Sequence, residues 1–134
     1  MFPHCFERFG TQLRGGALIR GAFTFTDADD SWAAVSADGH TYNGFSVADG
    51  GTGLVVVTFP KCRAIEVVHA SIRNATPGTF GNIRQIELPP MTKAIAQAGT
   101  FTLALYKEDG TSGVPALADP ADAAVLGLAL WLAR

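Results

Sequence analysis

Charge is scarce in this chain. Asp, Glu, Lys and Arg together make up 16% of its 134 residues, and the formal net charge is −2. The ten Lys and Arg residues are scattered, with no run of them anywhere. Binding to nucleic acid by phosphate neutralisation needs a basic stripe, so that function is set aside. Polybasic attachment to a membrane surface is unsupported for the same reason. Cysteine is nearly absent. Cys5 and Cys62 are too few for a disulfide framework or a four-ligand zinc site. Disulfide geometry is demanding, so sequence alone does not say whether these two pair; two reduced, buried or half-buried thiols are the expectation.

Long hydrophobic runs are missing as well. The apolar tail 123–133 falls far short of the ~20 residues that a membrane-spanning helix requires. The opening residues MFPHCFERF are too short and too polar for the apolar region of a signal peptide. No internal repeat, coiled-coil heptad or low-complexity segment is visible.

What the chain does have is apolar material and glycine. Hydrophobic residues make up 48% of it, enough for one sizeable core. The length fits one domain, read as residues 11–134 behind a short arm, 1–10. Fifteen glycines and seven prolines cut the sequence into short pieces that alternate or run apolar, as strands do. Residues 17–26 (ALIRGAFTFT) place Phe23 and Phe25 on one face and Ala22, Thr24 and Thr26 on the other, the pattern of a half-buried strand. An acidic turn follows at 27–30, and Asp38-Gly39 is a hairpin signal.

Further strands are expected at 41–48, 54–59, 65–73, 82–88 and 100–106. The glycine-rich turn 49–53 separates the first two, and Pro60 closes the second. Residues 93–97 suit one helical turn or an irregular edge. Residues 107–120 read as a long Gly/Pro/Asp connection. The last run, 123–133 (AAVLGLALWLA), favours helix by propensity, whereas its place after six strand-like segments favours a strand. It is read as a central strand, buried on both faces or covered by a neighbouring subunit. Short strands with turns every eight to twelve residues give an all-β fold, an antiparallel β-sandwich or jelly-roll-like barrel.

A search for chemistry finds little. His4, His40 and His69 stand in no metal spacing with a second His or Cys. His69 reads as a packed or interface histidine. No G-x-S-x-G nucleophile elbow is present. Asp27, Asp29 and Asp30 lack the Gly and Glu positions of a calcium loop, so they read as a solvated, self-capping turn. The run DGGTG has neither the following helix nor the Lys of a phosphate loop and reads as a hairpin turn. No cofactor is called for, and a binding or structural role is expected rather than an enzymatic one.

Residues 44–75, GFSVADGGTGLVVVTFPKCRAIEVVHASIRNA, resemble a module that recurs in tailed-phage virion proteins. Its pattern is a strand, a glycine turn, a G-x-x-x-V-T-F-P strand, a short crossover and a strand ending near Asn-Ala. A later T-F-T strand, a Gly/Asp/Pro loop and a closing apolar strand complete it. Residues 100–106, 110–120 and 123–133 follow that order. The resemblance implies a β-sandwich or jelly-roll-like domain, often trimeric, that serves as a fibre tip, head fibre or capsid decoration protein, and it implies no catalytic residues. Fibre tips usually end a long chain with a fibrous stem, and none is seen before Met1. The expectation is therefore a capsid decoration protein, made in the bacterial host cytoplasm, which binds the major capsid protein on the outer surface of the head and is itself a homotrimer. Phe2, Phe6, Phe9 and Trp131 are its candidate interface residues. The alternative is a receptor- or glycan-binding tip, with Trp32, Tyr42 and Tyr106 as candidate ligand contacts.

Overall fold

The computed structural model describes residues 15–35, 44–76, 82–108 and 115–134. It shows an antiparallel β-sandwich, as the strand pattern predicts. One sheet has the order β2-β1-β9-β5: β1 is Gly16–Thr26, β2 Ser31–Ala34, β5 Ala64–Arg73 and β9 Val125–Ala133. The other has the order β3-β4-β7-β6: β3 is Ser46–Asp49, β4 Leu54–Thr58, β6 Gln85–Glu87 and β7 Thr100–Glu108. A short β8, Pro115–Leu117, also pairs with β7.

Period-two alternation builds the core. In β1, Ile19, Phe23 and Phe25 point inward; in β9, Leu126, Leu128, Leu130 and Leu132 do the same. Leu103 and Leu105 of β7 and Val55 and Val57 of β4 face them from the second sheet. Each fully buried aliphatic or aromatic side chain contributes about 1.5–3 kcal/mol of transfer free energy. Phe23 meets Phe45, which leads into β3, across the sandwich.

The ambiguous tail resolves as β9, a central strand between β1 and β5. Its leucines recur every second residue, which buries all of them in a strand and would scatter them around a helix. Only one of its faces is buried. The outward residues Val125, Gly127, Ala129 and Trp131 are half-exposed, so the expected two-sided burial within the chain does not hold.

Two short strands, β2 and β8, go beyond the sequence pattern. β2 pairs Trp32 with Phe25 of β1, and their rings lie 5.0 Å apart. β8 lies inside the Gly/Pro/Asp connection. The backbone N–H of Leu105 donates to the Gly53 carbonyl and its carbonyl accepts from Ala118 N–H, so β4 and β8 share one edge of β7 and meet at this residue. Gly53 lies in the left-handed region at φ 70, and a Cβ there would sit 2.6 Å from the Ala118 nitrogen.

Residues Lys93–Ala98 form a helix, α1. Thr92 caps it by accepting from Ile95 N–H at 3.2 Å, and Gly99 ends it at φ 75. The Gly99 carbonyl then accepts from Phe59 N–H, which ties the end of β4 to the start of β7. In β5 the register against β9 slips between Val67 and His69, so Val68 forms a β-bulge with 59% of its surface exposed.

Candidate functional site

A concavity lies on the outer face of the first sheet. It is an open groove of about 670 Å³ running along β9, with β1 and β5 as its walls. The ladder register assembles it row by row. Arg20, Ala129 and His69 form one row, then come Ala22, Gly127 and Ser71, then Thr24, Val125 and Arg73; Leu18, Trp131 and Glu66 stand side by side just beyond the end of the groove. The floor is low because its outward residues are small: a Cβ on Gly127 would meet only Ser71 Oγ, at 3.3 Å.

Polar groups stand on the walls. Arg20 rises from β1 and Arg73 from β5, both exposed. His69 Nε2 and Ser71 Oγ share a hydrogen bond of 3.0 Å, which orients both toward the groove side of β5. Among the described residues none of those lining the groove is acidic; Glu66 stands one row beyond it, beside Trp131. In a chain with twelve Asp and Glu against ten Lys and Arg, that makes the groove locally cationic. At its far end the Trp131 ring lies over Gly16, and Leu18 beside it is 44% exposed, which leaves an apolar shoulder.

Asp27, Asp29, Asp30, Asp49, Asp119 and Asp122 gather elsewhere, on the loops at one end of the sandwich. Asp27 N–H donates to Asp122 Oδ1 at 3.0 Å, Ser31 Oγ donates to Asp29 Oδ1 at 2.6 Å, and Gly53 N–H donates to Asp119 Oδ1 at 2.9 Å. Of these contacts only that of Ser31 with Asp29 is local to the turn read from the sequence; the caps on the Asp27 and Gly53 amides come from Asp122 and Asp119, distant along the chain, and not from the turn's own carboxylates. Desolvation, then the charges of Asp119, Asp49, Asp27 and Asp29, hold the Asp30 carboxyl above its usual range. Among the described residues no group of three His, Cys, Asp or Glu side chains could hold a metal ion.

The other candidate residues are not brought together. Trp32 packs on Phe25 at the edge of the first sheet. Tyr106 stands on the second sheet, where its hydroxyl donates to Glu87 Oε1 at 3.2 Å. Phe2, Phe6, Phe9, Tyr42, His4, His40 and Cys5 lie outside the described residues. Cys62 is a free, half-buried thiol, and burial pushes its pKa up. Of the named interface residues the structure describes Trp131, and it stands on the groove face. Arg20, Arg73 and Gly127 were not singled out from the sequence; the small outward residues of β9 were the available signal.

Among the described residues no helix is long and apolar enough to cross a membrane. No family model, no curated protein and no solved structure matches the chain.

Proposed function

We propose that this chain is a structural module of a tailed-phage virion which binds a partner surface through the outer face of its first sheet, as a capsid decoration protein does. The observation that carries the docking face is the Leu18–Trp131 shoulder. Two adjacent apolar side chains stand on a sheet face over which no described element packs. Exposed aromatic and aliphatic neighbours of this kind mark contact surfaces. The phage setting is supported by the resemblance of residues 44–75, whose strand, glycine turn, V-T-F-P strand and following strand correspond to β3, β4 and β5. Burial of the shoulder across subunit boundaries of the shell would couple loss of the clamp to loss of the shell contact. Repetition of the contact in a trimer would raise its effective affinity.

The test is mass spectrometry and labelled electron microscopy of virions from the encoding phage. The chain is expected on the head surface, and a mass of three chains is expected in solution. Leu18→Asp combined with Trp131→Ala is expected to abolish rebinding to stripped particles. Absence of the chain from virions overturns the reading, and a label confined to fibre tips replaces decoration with receptor binding.

A further inference from the structure

We propose that the groove along β9 is a binding site for an extended, acidic segment of a protein partner. The inference rests on the reading that this face of the first sheet meets another protein, and it specifies the chemistry of the contact.

Shape comes first. The groove is open along its length and one strand wide between its walls. Its volume of about 670 Å³ falls in the range of about 300–1,000 Å³ typical of ligand sites. Its floor repeats with the pleat: Ala129, Gly127 and Val125 stand every second residue, about 6.7 Å apart. A polypeptide in extended conformation has the same side-chain period, so it can lie along the floor with alternate side chains pointing down.

Charge comes second. Arg20 stands in the Ala129 row and Arg73 in the Val125 row, on opposite walls. Four residues of strand separate the rows, about 13 Å. Two carboxylates four residues apart on one side of an extended segment match that separation. Guanidinium groups bind carboxylates through paired, charge-assisted hydrogen bonds. His69 and Ser71 add hydrogen-bonding groups between the two arginines, and among the described residues no acidic side chain lines the groove, Glu66 standing one row beyond it. A carbohydrate fits less well, because among the described residues no aromatic ring lines the groove between the arginines to stack on a sugar, Trp131 standing beyond its end. A nucleic acid would need more cations than two arginines supply.

The experiment uses the full chain and a fluorescently labelled heptapeptide, Thr-Glu-Thr-Ala-Thr-Glu-Thr. A second peptide with Gln in place of both Glu serves as the control. The acidic peptide is expected to bind saturably and to shift the amide resonances of Arg20, Ser71, Arg73, Gly127 and Ala129. The Gln peptide is expected to bind at least about tenfold more weakly, as is the acidic peptide to an Arg20→Glu/Arg73→Glu variant. Gly127→Val raises the floor while keeping a good strand former, and is expected to block binding by bulk alone. Equal binding of the two peptides, resonance shifts that map elsewhere, or tighter binding of an acidic oligosaccharide overturns the inference. If the double variant does not fold, the two peptides on the unaltered protein still decide it. Loss of this inference with virion location and particle rebinding intact leaves the proposed function standing; absence of the chain from virions removes that function whatever the peptides do.

Discussion

Phe23 and Phe45 meet edge to face across the sandwich, with ring centroids 5.3 Å apart and planes at 79°. The pair fits because Gly21 presents no side chain to it. A Cβ there would lie 2.7 Å from the Phe23 ring and 3.0 Å from that of Phe45. Gly21→Ala is expected to destabilise the fold by about 1–3 kcal/mol through overpacking. Urea denaturation measures this. Adding Phe45→Leu should recover part of the overpacking term, so the double variant should lose less than the sum of the single losses.

Gly53→Ala tests the junction at Leu105. The substitution places a side chain in the left-handed region and against the Ala118 backbone, so a loss of about 2 kcal/mol or more is expected. Hydrogen exchange should report it locally as faster exchange of the Ala118 amide, which donates to Leu105.

Asp30→Asn tests the acidic loop end. The Asp30 carboxyl is held above its usual range by desolvation and by neighbouring carboxylates, and its backbone sits at φ 52. A raised carboxyl pKa means that the folded state holds the proton more tightly. The associated stability is therefore present below the ordinary Asp pKa and is lost as pH rises through the folded value. Asn keeps the tolerance for left-handed backbone and removes the charge. Thermal unfolding should show a gain at neutral pH that vanishes in acid. Added salt, which screens repulsion between exposed charges, should stabilise the parent more than the variant.

Tyr106 should ionise above the ordinary tyrosine range. Desolvation is the larger cause, followed by the hydrogen bond to Glu87 and that carboxylate's charge. The stability tied to its proton is complete below the unfolded tyrosine pKa and is lost as pH rises through the folded value. Phenolate absorbance in a Tyr42→Phe background isolates Tyr106, since the chain has two tyrosines. Glu87→Gln should move the titration down.

The fold was largely legible because period-two burial is a local signal. Phe23 and Phe25, or the leucines of β9, declare their inward face within a few residues. β2 and β8 escaped because nothing local makes Ser31–Ala34 or Pro115–Leu117 a strand; their partners do, through the Phe25–Trp32 contact and the open end of β7. Residues 93–97 suit either a helical turn or an irregular edge by sequence, and the Thr92 and Gly99 caps select the helix. The groove was less legible than any strand. Arg20, His69 and Arg73 lie up to about fifty residues apart and become neighbours through the ladder with β9. The groove is also made by what β9 lacks, side-chain bulk at Gly127 and Ala129, and small residues read as featureless in one dimension. Trp131 could be named because a large outward aromatic stands out in either view.

β5 closes one side of the first sheet with ten residues and no further strand hydrogen-bonded beyond it among those described. A straight edge of that length would template strands from other chains and seed fibrous aggregates. The extra residue Val68 breaks the ladder partway along, so an incoming strand that matches one half of the edge falls out of step with the other. The same slip sets His69 beside Ala129. One inserted residue thus protects the solubility of the sandwich and sets the histidine's position on the groove wall, and removing it should compromise both.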